Sequence, residues 1–213
     1  MKPTHEDAFK KIAIADFGIG NFKSVKRLFE HIGLEAEIVR EPEKIAGCDR
    51  LVLPGVGAYD AGMAAIVDGG WKSVLDHLAL ERKVPILGIC LGMQLLCRGS
   101  EEGKRRGLGW VPADVVAFKL KGTGLKVPHM GWATITPTQP NLLLPLDEEE
   151  QRFYHTHKYH AVCDSPDNVL GTSHYGYDFP SIIRNDNVFG TQFHPEKSHR
   201  YGMALLKRFS EIE

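Results

Sequence analysis

The apolar positions in the first half of the chain switch between two patterns. Ile12-Ala13-Ile14-Ala15 is an unbroken apolar run of strand length between Lys11 and Asp16. Such a run predicts a strand buried on both faces. Phe22, Val25, Leu28, Phe29 and Ile32 then recur three and four residues apart, up to Gly33, which is the spacing of one helix face closed by a glycine. Ala36 to Arg40 predicts a second strand, and Arg50-Leu51-Val52-Leu53 a third, stopped by Pro54-Gly55-Val56-Gly57. A helical stretch runs on to Glu81, broken near Asp68-Gly69-Gly70, before another strand from Val84 to Ile89. Strands alternating with helices specify βαβ units, hence a parallel sheet covered on both faces.

The second half changes character. Val115 to Phe118, Ala133 to Ile135, Arg152 to Tyr154 and Ser181 to Ile183 are short strand candidates between turn residues, with little helix among them. A longer strand, Val188 to Phe193, precedes a final helix from Arg200 to Ile212. The pattern predicts an α/β sandwich with a mainly parallel central sheet and antiparallel strands in the C-terminal half. With no internal repeat and no low-complexity linker, residues 1–213 are expected to form one domain, residues 1–10 being a flexible polar tail.

Composition narrows the function classes. The 26 Lys and Arg nearly cancel 27 Asp and Glu, and no basic stripe appears, which argues against nucleic-acid binding. No apolar run approaches the roughly 18 residues of a membrane span, and the polar start lacks the apolar core of a secretory signal. Cys48, Cys90, Cys97 and Cys163 form no CxxC pair, so neither a zinc nor a disulfide scaffold is expected, and the natural address is the cytoplasm. Gly18-Ile19-Gly20 lacks the third glycine of a dinucleotide fingerprint, because Lys23 stands there, so no such cofactor is expected.

One stretch carries chemistry. In Gly88-Ile89-Cys90-Leu91-Gly92 an apolar strand runs into a glycine-flanked cysteine and then into a predicted helix. A strand-to-helix elbow of this form holds a nucleophile out at the carboxyl end of a strand, where open α/β sheets bind ligands. The helix N-terminus there favours thiolate over thiol and offers N–H groups to an oxyanion. The competing reading is a small buried core residue, the usual fate of free cysteine. A thiolate needs a proton carrier, and His194 ends an apolar strand with Pro195 after it and Glu196 two residues on, placed to orient the imidazole. Cysteine, histidine and carboxylate in that set make an acyl-transfer triad. The bland alternative is a capped strand end with a surface glutamate. His155 and His157 share a strand face with no third ligand at a recognisable spacing, so they predict a polar pocket wall, together with Thr156, rather than a metal site.

At these residues the sequence resembles the class I (triad) glutamine amidotransferases, over nearly its whole length. The motifs are PGVGA (54–58), GICLGMQ (88–94) and QFHPEKS (192–198). DFGIGN (16–21), SEEG and GLGW (100–110) and VPHMGW (127–132) further resemble one branch, the glutaminase subunits of imidazole glycerol phosphate synthase. The resemblance implies a flavodoxin-like three-layer sandwich without cofactor. Cys90 would attack the carboxamide of L-glutamine, His194 would protonate the departing ammonia, and Glu196 would orient His194. Backbone N–H groups of Leu91 and, after a peptide reorientation, Val56 would form the oxyanion hole. Gly55, Gly57, Gln94 and the strand His155-Thr156-His157 would border the substrate. The expected partner is a (β/α)8 cyclase subunit that receives the ammonia, with Asn21, Trp132 and Lys197 at the interface.

Two segments depart from the branch pattern. PHMGWA ends in Ala133 where asparagine is usual, and Phe153-Tyr154-His155-Thr156-His157 replaces a strand resembling FYFVHSY. The C-terminal KSHRYGMALLKRF also resembles a paralogous branch that feeds ammonia to amidination of an activated sugar in surface-polysaccharide synthesis. That acceptor stays open as an alternative, as do a cysteine peptidase on the same elbow and a non-catalytic binding subunit.

Overall fold

The computed structural model describes residues 11–146 and 150–213; the expected tail, residues 1–10, lies outside them. The first half builds β1 (Ile12–Ala15), α1 (Phe22–His31), β2 (Ala36–Val39), β3 (Arg50–Gly55), α2 (Tyr59–Asp68), α3 (Trp71–Asp76), β4 (Ile86–Cys90) and α4 (Leu91–Leu95). The break at Gly69-Gly70 is real, because Gly70 takes a left-handed φ of 74° as it starts α3, and a π-type turn over His77–Glu81 follows. The second half adds β5 (Ala113–Ala117), β6 (His129–Pro137), β7 (Gln151–His157), β8 (Tyr159–Cys163), β9 (Val169–His174), β10 (Asp178–Asn185), β11 (Val188–Thr191) and α5 (His199–Glu211). Of these, β8 and β9 go beyond the strands predicted from the sequence, and β11 stops two residues earlier, at Thr191.

The described strands form a sheet in the order β2-β1-β3-β4-β11-β10-β9-β6-β7, and β5 pairs with β8 beside it. Pairing is parallel from β2 through β11 and antiparallel from β11 outward. Alternation along the parallel strands sends residues to opposite faces. Ala13, Ala15, Leu51, Leu53 and Ile86 meet Met63, Ile66, Leu75 and Leu96 from the α2–α4 side. Ile12, Ile14, Val52, Leu87 and Ile89 meet Phe22, Val25, Phe29, Leu205 and Phe209 from α1 and α5. This is the three-layer sandwich with an antiparallel C-terminal half that the sequence predicts. Its consequence is positional: β3, β4 and β11 are adjacent and parallel, so the segments leaving their carboxyl ends converge at one edge of the sheet.

Candidate active site

Cys90 is the last residue of β4 and the residue before α4, with φ 54° and ψ −110°. A non-glycine residue in that region costs of order 1–3 kcal/mol and persists only where packing enforces it. The enforcement is visible at Gly92, where an added Cβ would lie 1.7 Å from the carbonyl oxygen of Leu53. Gly88 is pressed in the same way, since its Cβ would meet the Gly92 backbone at 2.8 Å. The glycines on either side of Cys90 therefore allow the elbow to press against β3, and the thiol is turned out into a cavity of about 410 Å³. Cys90 is buried, at 8% exposed, and packs with the core on one side while it lines that cavity on the other. The helix after it is shorter than expected. Five residues carry only a fraction of a macrodipole, so the positive charge opposite the sulfur has to come from elsewhere.

It comes from His194, which lines the same cavity. After β11 ends, the chain bends and His194 is held by β7: its N–H donates to the Tyr154 carbonyl at 2.9 Å. The Ser198 hydroxyl donates to the His194 carbonyl at 2.6 Å and accepts from the Tyr154 N–H at 3.0 Å. Nδ1 of His194 donates to Oε1 of Glu196 at 2.8 Å, with both side chains 2% exposed. This fixes the tautomer and leaves Nε2 for the cysteine. Burial opposes a charge on the imidazole, yet the hydrogen bonds and charges of Cys90 and Glu196 outweigh it and raise His194 to about 9. The ring is therefore protonated at neutral pH, the state that pairs with a thiolate.

Val56, Gly57, Leu91, Gln94, Thr156 and His157 also line the cavity. Leu91 is the first residue of α4, so its N–H has no intrahelical acceptor. Gly55 pairs in register with Cys90, which places Val56 just beyond the elbow, and Gly57 follows with φ 123°. Gly55 itself is a packing glycine: its Cβ would stand 2.7 Å from the Gly92 nitrogen. His155 is fully buried behind the cavity wall. Lys197 reaches the cavity rim, with its ammonium 5.8 Å from the Tyr154 ring centre. Trp132 stacks on His199 nearby, at 5.7 Å and 9°. Asn21 stands before α1, outside the cavity lining.

Sequence reasoning overlooked Gln192. Fully buried, it directs Nε2 at the Cys90 sulfur at 3.9 Å and accepts from Nε2 of Gln94 at 3.2 Å, while Gln94 also faces the Tyr159 carbonyl at 3.4 Å. Its place in QFHPEKS was the available signal. Ser198, in the same motif, was overlooked as the clamp on His194. The third histidine of the His155/His157 cluster was also overlooked. It is His129, which sits directly opposite His157 on β6.

A cysteine elbow facing a buried His–Glu pair at the strand ends is the arrangement that acyl transfer requires. The sequence profile of class-I glutamine amidotransferases matches residues 13–211, and the chain belongs to that family. It is 43% identical to imidazole glycerol phosphate synthase subunit HisH 2 of Methanococcus maripaludis, over 93% of this chain and 98% of that one. It is 42% identical to the subunit HisH of Bdellovibrio bacteriovorus, over 94% and 100%. Among solved structures, a glutamine amidotransferase superposes with a TM-score of 0.74 at 19% identity, covering 94% of this chain and 97% of that one. A glutamine amidotransferase of Thermotoga maritima gives 0.61 at 19%, over 95% and 81%. At such identities the two structures speak for the fold. No helix among the described residues is long and apolar enough to cross a membrane.

Proposed function

We propose that this chain, acting as one catalytic unit, is the glutaminase subunit of imidazole glycerol phosphate synthase in histidine biosynthesis. The observation that carries the chemistry is the meeting of Cys90 with the Glu196-braced His194 in one cavity at the strand ends. The near-complete alignment with HisH subunits supports the pathway.

The Cys90 thiolate attacks the carboxamide carbon of glutamine. The oxygen of the tetrahedral adduct takes negative charge, which the N–H groups of Leu91 and Val56 stabilise once the loop holding Val56 has turned. The glycines beside Val56 make that peptide rotation inexpensive. His194 passes its Nε2 proton to the departing nitrogen, and ammonia leaves a thioester on Cys90. Water then attacks the thioester with His194 as base, releasing glutamate and restoring the pair. Glu196 keeps the imidazole oriented through both steps. Gln94, Thr156 and His157 bound the amino-acid end of the substrate. Ammonia passes to a (β/α)8 cyclase subunit seated over the rim near Asn21, Trp132 and Lys197, where enclosure keeps it from water and protons.

Cys90→Ala is expected to lower glutamine turnover by at least about 10⁴-fold while leaving the assembly intact. Titrating the chain with a histidine-pathway cyclase barrel and its ligand is expected to raise glutamate release well above the rate of the isolated chain. Stimulation only by a barrel of the sugar-amidinating kind would overturn the pathway while leaving the glutaminase chemistry standing.

A further inference from the structure

His129, His155 and His157 form a buried cluster outside the Cys90–His194–Glu196 triad. His155 and His157 lie two residues apart on one face of β7, and His129 pairs across β6 with His157. One ring nitrogen from each falls within 4.8 Å of the other two. Nδ1 of His155 and Nε2 of His157 are closest, at 3.0 Å. In a tetrahedral zinc site with bonds of about 2.0–2.1 Å, neighbouring nitrogens stand about 3.3 Å apart. Two of the three nitrogens are thus near that spacing, and a modest swing of His129 completes a triangle.

The hydrogen bonds leave the cluster one proton shift away from a three-nitrogen ligand set. Nδ1 of His157 lies 2.8 Å from the Tyr159 carbonyl. A carbonyl can only accept, so the proton is on Nδ1 and the Nε2 lone pair accepts from Nδ1–H of His155, a proton that ion binding would move to Nε2 of His155. A second ring nitrogen donating to a backbone carbonyl is the usual support of a metal-ligating histidine. Meanwhile Nδ1 of His129 is buried with no hydrogen-bond partner among the described residues, as is Nε2 of His155, the ring nitrogen opposite the one that faces His157. An unpartnered buried ring nitrogen on His129 is an expense that a purely structural cluster would shed by using an apolar residue there.

We infer that His129, His155 and His157 form a binding site for one borderline divalent transition ion of the zinc type. Three neutral imidazoles select zinc, cobalt, nickel or copper over magnesium and calcium, which require oxygen. Access exists from both sides. His157 lines the cavity holding Cys90 and His194, and His129 lines a second cavity beside Met130 and Ser173. The inference shares His157 with the substrate pocket of the proposed function, while His129 and His155 lie outside the lining of that cavity and none of the three belongs to the triad.

The test is a Co²⁺ titration of tag-free, full-length Cys90→Ser protein, the substitution removing the thiol that would compete for the ion. Expected are the visible ligand-field bands of four-coordinate Co²⁺, saturating at one equivalent and displaced by Zn²⁺. His155→Phe in the same background is expected to weaken binding at least about 100-fold, the upper end for loss of a supporting group. Phenylalanine preserves the ring packing, and far-UV circular dichroism reports whether it folds. His129→Gln provides a second variant, with the same loss expected. Absence of the bands at millimolar Co²⁺ would overturn the inference. So would thiolate charge-transfer absorption, which places the ion on a remaining cysteine, or affinity lost in His194→Asn and kept in His155→Phe.

Discussion

The parallel and antiparallel halves of this molecule share one sheet and build the site in different ways. The parallel half contributes the nucleophile through backbone geometry: β4 stops, Gly88 and Gly92 let the turn press against β3, and Cys90 is held at φ 54°. The glycines and the cysteine of that device lie within a few consecutive residues, although the turn rests on β3. The antiparallel half contributes side chains across strands. Tyr154 and its partner Ser198 hold the His194 backbone, His157 forms the pocket wall, and Gln192, just past β11, turns its amide to the sulfur. The proposed nucleophile depends mainly on local shape, whereas the groups proposed to move protons and bind substrate depend on register between distant strands.

That contrast can be broken at graded points. The largest effect after loss of the thiol is expected for Glu196→Gln. An amide in place of the carboxylate cannot stabilise the imidazolium, and kcat is expected to fall about 10²- to 10⁴-fold with little change in melting temperature. Gly92→Ala attacks the parallel half instead. With 1.7 Å between the new Cβ and the Leu53 oxygen, β3 or the elbow must move, so a denaturant titration is expected to show about 3 kcal/mol of destabilisation or more, with a smaller fall in turnover than for Glu196→Gln. An unchanged midpoint would mean that the elbow does not rest on β3.

Ser198→Ala probes the antiparallel clamp. It leaves the Tyr154 N–H without its acceptor and frees the His194 carbonyl, for an expected cost of about 1–2 kcal/mol and a several-fold drop in turnover. The smallest effect concerns pH. His194 sits above its ordinary value of 6.5, at about 9, so the stability its protonation contributes is complete below about pH 6.5 and is lost as pH rises through about 9. The gap in melting temperature between the parent and His194→Asn is therefore expected to narrow by a few degrees from about pH 6 to about pH 9.5. A gap that widens would mean that the imidazole is neutral in the fold.

The two strands overlooked in the sequence show where local reading fails. A single residue, Lys158, separates β7 from β8, so the run from Phe153 to Cys163 looks like one polar stretch; only pairing of β8 with β5 divides it. In β9, Gly171 interrupts the apolar pattern, and the reason lies across the sheet: its Cβ would meet Ile135 at 2.9 Å. His155 looked like pocket lining because it shares a face with His157, yet it is fully buried while His157 reaches the cavity. Alternation assigns a face and says nothing about depth.

By itself the sequence determined the βαβ order, the parallel half of the sheet, the elbow at Cys90 and the pairing of His194 with Glu196. All of these follow from spacings shorter than a helix turn or a strand, where backbone sterics act directly. Tertiary structure alone decided that Cys90 and His194 face one cavity, that Gln192 touches the sulfur, that Ser198 locks the histidine backbone, and that His129 joins His155 and His157. Those meetings depend on strand order and cross-strand register, which are set by how the whole sheet buries its two faces and leave no periodic trace in the chain.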